Sequence, residues 1–378
     1  MKLSSEFLVI FPFATIMFGE RSGLATSQIG VITAVGLALS VLLEIPTGVI
    51  ADAWPRKYSL VGAQISKILS LMAWWWLPNF NGYMLGAALF AAGSAFESGA
   101  LQAYLYNITG RAKQQRFGAF WARLQALVML SYTAAFITAS VIGLRYELLL
   151  GCSLAASCLS LLFSLSLPTD SLHLTPGEQP RIFKSAIRHI MGSKPLAQLL
   201  LGALIVIIVS ETIIEFSSLY YRSAGIGIHA IPLILAGGNI IGAVSFWLLP
   251  RYTTQLEKHK IWLSMIVGVI FVVTLRFGGL VGLVVGLITV TRFLRVLQVQ
   301  FDATIQHLAN DKTRATVSSI GSFGAKLGAA ALTASIGAIA GTESILQPFR
   351  IAIVIGLASF AAMQVALWHR QTRLYTSE

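Results

Sequence analysis

The residues of this sequence best placed to do chemistry are charged side chains inside long apolar stretches. Six of them fall in three such stretches: Glu97, Glu211, Glu215, Arg292, Arg295 and Asp302. The two acids of the second stretch are four residues apart and the two arginines of the third are three apart, so each pair shares one face of a helix. Buried carboxylates near arginine can bind and release protons. The alternative is a structural network of ion pairs.

A second set of charges is predicted to form buried pairs. Glu44 lies eight residues before Asp52 and Lys67 lies eight residues after Ser59. Across a short turn between antiparallel helices, Glu44 and Lys67 should lie at one depth, about 12 Å from their helix ends. We therefore predict that they pair, with Arg123 as a competing partner for Glu44 and a snorkelling Lys67 as the alternative.

Lys326 is also deep in an apolar stretch. A carboxylate on another helix is its expected partner, and an anionic ligand is the alternative.

Residue patterns typical of enzymes are missing from the sequence. None of the six histidines falls in an HExxH motif, and there is no GxSxG or phosphate-loop signature. Cys152 and Cys158 share one apolar segment and make neither a metal site nor a disulfide framework. We expect no catalytic activity, no metal and no cofactor.

The elements that must position these charges are membrane spans. The chain is 56% hydrophobic and 11% charged, whereas soluble domains carry about 25% charged residues. Since a spanning helix needs roughly 20 apolar residues, we predict twelve spans, at 5–20, 26–51, 59–77, 82–106, 117–142, 147–167, 196–221, 227–249, 261–276, 279–303, 315–340 and 346–369.

The loop charges predict an orientation. Seventeen Lys and Arg residues fall in loops on one side and five on the other. The positive-inside rule then places both termini in the cytoplasm, and the expected location is a bacterial inner membrane. It also accounts for the net charge of +12 without a nucleic-acid partner.

The longest polar stretch divides the chain into two halves. It covers residues 168–194 and is predicted to be a cytoplasmic linker between bundles at 1–167 and 195–378. The pairs Pro55-Arg56 and Pro250-Arg251 close equivalent loops of the two halves, as expected for repeats related by an axis along the membrane normal.

Three blocks carry a resemblance to a known family. In GVIADAWPRKYSL the residues Gly48, Ala51, Asp52, Arg56 and Lys57 resemble the loop signature of the major facilitator superfamily, from which Ala53 and Pro55 depart. AFESGALQAYLYN and DKTRATVSSIGSF resemble two further blocks, and EIPTG resembles a prokaryotic subgroup of drug and metabolite exporters. The implied fold is all-α, with twelve transmembrane helices in two pseudo-symmetric six-helix bundles.

The resemblance implies a conformational latch on the cytoplasmic side. Asp52 would face the N-terminus of the eleventh span, where free N–H groups and the helix dipole favour an anion. Arg56, Lys57, Arg111 and Arg314 would complete the latch between the halves. A static loop that only obeys the charge rule is the alternative.

The resemblance also implies a function. The first, fourth, seventh and tenth helices of such proteins line a central cavity, and three of them hold the six charges named first. We expect a secondary active transporter, a monomer in the lipid bilayer, that exports a small organic molecule in exchange for protons. The alternatives are uptake or uniport of a small, anionic solute, and more remotely a membrane sensor that does not transport.

Overall fold

The apolar stretches of the sequence fold into helices. The computed structural model describes residues 1–44, 47, 55–108, 117–169, 187–188, 190–245, 247, 266, 279–308, 314–341 and 344–375. Every element in this part of the chain is helical: α1 Lys2–Ser5, the 3-10 helix η1 Phe11–Phe13, α2 Ala14–Ser22, α3 Thr26–Leu42, α4 Arg56–Trp76, α5 Phe80–Ile108, α6 Phe117–Ile142, α7 Tyr146–Leu165, α8 Lys194–Ser223, α9 Ala230–Ser245, α10 Gly279–Leu308, α11 Arg314–Ala340 and α12 Leu346–Tyr375.

The helix ends follow local sequence signals. Pro55 caps α4 at its N-terminus, where a missing N–H costs nothing. Gly23 and Gly143 follow α2 and α6 with positive φ angles of 65° and 69°, a conformation that only glycine adopts readily. Within the described residues, four helices are long and apolar enough to cross a membrane by themselves. The protein is a multi-pass integral membrane protein.

The first predicted span differs from the expectation of one continuous helix. The backbone leaves the helix after Ser5 and re-enters regular structure only at η1 and α2. Pro12 lies at the start of η1 and has no N–H to donate to the preceding turn. The N–H of Ile10 instead donates to Ser153 Oγ of α7 at 3.0 Å. The first span is therefore broken at residues 6–10.

Contacts between residues group the chain into two compact units. The first comprises Met1–Glu178, Ser218–Leu248 and Thr333–Ile345, and the second comprises Gln179–Ser217, Leu249–Leu332 and Leu346–Glu378. The predicted division into bundles at 1–167 and 195–378 stays a prediction, because most of the linker lies outside the described residues.

A column of serines runs along the buried face of α7. Ser153, Ser157, Ser160 and Ser164 are all fully buried. Three of these hydroxyls donate to the carbonyl four residues earlier in α7 itself. The fourth, that of Ser160, donates to the carbonyl of Met1 at 3.0 Å. Together with the Ile10–Ser153 bond, this attaches the broken first span to α7 at two points.

Two glycines bring α3 and α11 into backbone contact within the first unit. A Cβ on Gly30 would lie 2.9 Å from Gly337 Cα, and a Cβ on Gly337 would lie 2.9 Å from Gly30 Cα and 3.1 Å from the carbonyl oxygen of Thr26. The N–H of Ser27 also donates to the carbonyl of Gly341 at 3.3 Å. This crossing lies at the end of the helices that the loop charges assign to the outside.

The second unit packs glycines of α11 against aliphatic side chains of α8. A Cβ on Gly328 would overlap the side chain of Ile208, and one on Gly321 would lie 3.0 Å from Leu200 Cδ2. Small residues allow such close approach of membrane helices. This packing fixes the position of α8, which carries Glu211 and Glu215.

Candidate functional site

Four charged side chains form a closed ring in the first unit. Glu97 contacts both lysines: its Oε1 is 2.7 Å from Lys2 Nζ and its Oε2 is 2.5 Å from Lys67 Nζ. Glu6 does the same, in an ion pair with Lys2 and with its Oε1 3.7 Å from Lys67 Nζ. Cations and anions therefore alternate around the ring, and each charge has two opposite neighbours.

Three elements supply the ring. Lys2 lies in α1 and Glu6 directly follows it, whereas Lys67 and Glu97 lie near the middle of the antiparallel helices α4 and α5. Gly93 makes room for the lysine stem, since a Cβ there would lie 3.0 Å from Lys67 Cγ. The stem thus passes α5 at Gly93 and delivers its ammonium to the carboxylate one turn further on.

Neutral side chains complete the hydrogen bonding of the ring. Ser5 Oγ accepts from Lys67 Nζ at 2.9 Å and donates to Glu97 Oε2 at 3.3 Å. The Tyr132 hydroxyl of α6 donates to Glu6 Oε2. The first, third, fourth and fifth spans therefore all supply side chains to the ring and its hydrogen bonds.

The ring is nearly sealed from solvent. The side chains of Lys67 and Glu97 are 3% and 4% exposed and that of Glu6 is 9%, whereas Lys2 is the most open member at 21%. Moving ions out of water costs several kcal/mol each, and ion pairing repays that cost only when every charge is well partnered. Charges at this depth in a membrane protein are functional candidates by default.

The ring lies at the break in the first span. Glu6 is the first residue of the non-helical segment 6–10, whose apolar members Leu8, Val9 and Ile10 are fully buried. Irregular backbone at membrane depth is tolerated only where protein buries it or where it lines a cavity. Two features that are costly in a membrane, a break in a helix and a cluster of charges, therefore coincide.

A second charged site lies in the second unit. Arg295 of α10 is 3.4 Å from Glu211 Oε1 of α8 and donates to Gln298 Oε1 at 3.1 Å. The side chains of Arg295 and Glu211 are 38% and 22% exposed, so this pair is more accessible than the ring. Glu215 lies one turn beyond Glu211 and Arg292 one turn before Arg295, both half-buried. The structure thus brings together acids of the seventh span and a cation of the tenth.

Lys67 has two ion-pair partners that were not predicted from the sequence. They are the carboxylates of Glu97 and Glu6. Glu44 is half-buried at the end of α3 and Arg123 is exposed on α6. Pairing of Glu44 with Lys67 or Arg123 stays a prediction.

Several residues of the predicted latch lie outside the described part of the chain. These are Gly48, Asp52 and Arg111, and the side chains of Arg314 and Asp302 also fall outside it. The latch therefore stays a prediction.

The described latch cations lie at the start of α4, where Arg56 is buried and Lys57 half-buried. Lys326 is half-buried in α11. Among the described residues, no group of three or more His, Cys, Asp or Glu side chains is arranged to hold a metal ion.

Sequence reasoning missed Lys2 and Glu6. The signal for them was present, because they are four residues apart at the start of an apolar stretch that also contains Pro12. An i, i+4 ion pair next to a helix-breaking proline is unusual inside a membrane span.

The family follows from the sequence as a whole. The family model described as Major Facilitator Superfamily matches residues 4–333. The chain belongs to the major facilitator superfamily. Its all-α fold of twelve transmembrane helices in two pseudo-symmetric bundles is that of the superfamily, whose members carry small molecules across membranes. No curated protein sequence matches this chain.

Solved structures of other superfamily members share the fold. The nucleoside transporter NupG superposes with a TM-score of 0.73 at 12% identity, covering 97% of this chain and 98% of that one. A bacterial homolog of the human lysosomal transporter Spinster, inward-facing and unoccupied, gives 0.71 at 14%, covering 97% and 92%. A D-xylose-proton symporter gives 0.70 at 12%, covering 95% and 94%. At these identities the likeness shows the fold alone.

Proposed function

We propose that this major facilitator protein is a secondary active transporter that exchanges a small organic molecule for protons by alternating access. Export is the proposed direction. The observation that carries the proposal is the ring: a carboxylate at membrane depth, Glu97, that is held by two ammonium groups with a second carboxylate, Glu6, beside them.

The ring links a proton to the attachment of a span. A proton on Glu97 removes one of the two anions, and Lys67 then has Glu6, now 3.7 Å away, as its remaining charged partner. Glu97 belongs to α5 and Glu6 to the first span. Protonation of Glu97 would therefore shift the ion pair of Lys67 from α5 to the first span. A static network of ion pairs would show no such transfer during transport.

The second site offers the same chemistry. Glu211 engages Arg295, and Glu215 lies one turn away on the same helical face of α8. Proton uptake on Glu211 would remove the anion that Arg295 contacts. We assign the coupling role to at least one of Glu97, Glu211 and Glu215.

The direction rests on the sequence alone. EIPTG resembles a subgroup of exporters, which favours export. Uptake of an anionic solute is the second candidate, and the cations Arg292, Arg295 and Lys326 favour it. The ion pair between Arg295 and Glu211 weakens that case, because the arginine already has an anion at 3.4 Å.

Transport by purified protein in proteoliposomes tests the proposal. Vesicles loaded with a pH-sensitive dye receive pools of amino acids, nucleosides, sugars and drugs under a pH gradient of either sign. We expect at least one pool to move protons in exchange, with flux that reverses with the gradient. Solute flux that ignores the gradient in both directions would refute proton coupling, and co-directional flux would replace export by uptake.

Three variants then assign the coupling residue. Glu97→Gln, Glu211→Gln and Glu215→Gln each remove one proton site, and at least one should lose gradient-driven flux while keeping exchange of solute at equal pH. Glu147→Gln, whose side chain is 64% exposed, is the matched control. If all three variants retain gradient-driven flux, the assignment to these acids is wrong.

A further inference from the structure

We infer that the ring and the break in the first span form a binding site for a zwitterion, a small molecule whose ammonium and carboxylate are close together, as in an α-amino acid. The inference rests on the proposed transport function in that the bound zwitterion is the cargo. It goes further by naming the chemical class of that cargo.

The first observation is the alternation of charge. The ring holds two ammonium groups and two carboxylates, so the four side chains sum to zero. A ligand with a single charge must displace one protein charge from its partner and leave it uncompensated in a buried place, which is strongly unfavourable. A zwitterion brings one charge of each sign. It can replace an edge of the ring with two new ion pairs and leave no charge alone.

The second observation is the geometry of the edges. Three edges are direct contacts, whereas Lys67 Nζ and Glu6 Oε1 are 3.7 Å apart. This is the longest edge of the ring, and separating its two charges loses the least ion-pair energy. A carboxylate placed there can accept from Lys67, and an ammonium next to it can donate to Glu6. Lys2, at 21% exposed, is the member of the ring that a ligand would meet first.

The third observation is independent of the charges. The backbone of residues 6–10 is not helical and borders the ring. Secondary transporters commonly build their ligand sites from discontinuous membrane helices, because the freed N–H and C=O groups can bind the ligand. Three N–H groups of the segment are already used: those of Glu6 and Phe7 donate to the carbonyls of Lys2 and Ser4, and that of Ile10 donates to Ser153 Oγ, which attaches the break to α7.

A purely structural ring is the competing explanation. Such a ring would tie the first span to α4 and α5 and would require only that its charges stay balanced. Buried ion pairs of that kind can often be replaced by apolar pairs without loss. The two explanations differ in what single-charge variants do to ligand preference.

The test measures binding to the purified full-length protein through thermal unfolding in detergent. The probes are the twenty common amino acids, followed by the methyl ester and the N-acetyl derivative of the strongest binder. The first derivative is a cation and the second an anion. We expect the zwitterion to raise the melting temperature saturably and to bind at least roughly tenfold more tightly than either derivative.

Two variants invert the preference. Lys67→Met leaves the ring one negative charge in excess, so the methyl ester should bind more tightly than the parent amino acid. Glu97→Gln leaves one positive charge in excess, so the N-acetyl derivative should gain. The double variant Lys67→Met/Glu97→Gln restores balance and keeps the test valid if a single variant does not fold: it should fold but lose zwitterion binding. Glu147→Gln is the control that should change nothing.

Three results would overturn the inference. They are no stabilisation by any of the twenty amino acids, equal binding of zwitterion and derivatives, and unchanged binding in the double variant. The fate of the proposed transport function is separate. If a zwitterion binds but its flux does not depend on the pH gradient, proton coupling is refuted and the zwitterion site stands. If gradient-driven flux is confined to singly charged or neutral solutes, the zwitterion site is refuted and proton coupling stands.

Discussion

Replacing Gly337 by alanine should open the contact between α3 and α11. The added Cβ would lie 2.9 Å from Gly30 Cα and 3.1 Å from the carbonyl oxygen of Thr26. Both neighbours are backbone atoms, so no side-chain rotation can relieve the overlap. The two helices must move apart by a few tenths of an ångström or more. In the proposed alternating-access cycle, α3 and α11 belong to different predicted bundles, and this end of the helices would be closed in one state and separated in the other.

The expected change in the ratio of closed to open molecules follows from two free-energy contributions of opposite sign. Overpacking of a tight contact typically costs about 1–3 kcal/mol, and this cost applies only while the contact is closed. Alanine also favours a helix over glycine by about 0.5–1 kcal/mol, but that gain is the same in both states and cancels. The ratio of closed to open should therefore fall by roughly 5- to 150-fold.

Pulsed electron paramagnetic resonance between two spin labels measures the ratio. Val31 of α3 and Ile339 of α11 are 42% and 73% exposed and can carry the labels, once Cys152 and Cys158 are replaced by serine. The short-distance population should shrink in the Gly337→Ala variant.

The matched control is Gly62→Ala in α4, because a Cβ there meets no atom within 4 Å. Identical distance distributions in the wild type, the control and the Gly337 variant would refute the reasoning.

Three further predictions concern the interior and the latch. Glu97→Gln should lower the free energy of unfolding by about 3–5 kcal/mol because it leaves the two lysines of the ring with Glu6 as their shared carboxylate, and adding Lys67→Met should recover most of that loss. Thermal unfolding in detergent measures both, and additive losses would contradict the pairing. Ser153→Ala removes the acceptor for a buried N–H of the first span and should cost about 1–3 kcal/mol by the same assay, while Ser166→Ala, an exposed site, should cost little. Asp52→Ala should raise the population of molecules that are open at the cytoplasmic end, as measured with spin labels placed there. Unchanged transport and unchanged populations would contradict the latch hypothesis.

The spans were predictable because their signal is simple. Hydropathy and length locate a membrane helix, and the fifth span begins and ends at the predicted residues, 117 and 142. The break in the first span was not predicted. Its apolar run is long enough for one helix, and the competing effect of Pro12 on the preceding turn depends on which groups are available to take the freed backbone hydrogen bonds. That role falls to Ser153, far away in the sequence.

The site was predictable only in part. Charge at membrane depth singled out Glu97 and Lys67, but not that they meet. Spacing from the helix ends gives the depth of the Lys67 Cα, whereas the Lys67 stem extends past Gly93 of α5 and its ammonium reaches Glu97. Which faces of two helices meet, and how far a flexible side chain reaches, are decided by tertiary packing. The spacing of residues along the sequence does not specify either.

The two bonds between the first span and α7 have a mechanical consequence. A continuous helix holds its own shape, but residues 1–10 are interrupted and take their rigidity from the helix beside them. Ser153 and Ser160 hold that segment at Ile10 and Met1. The same segment is joined to α4 and α5 by the ion pairs of Lys2 and Glu6 with Glu97 and Lys67. A displacement of α7 against α4 and α5 must therefore break the two serine hydrogen bonds or pull on the ring, and the distances Ile10–Ser153 and Glu6–Lys67 would report which attachment the first span keeps.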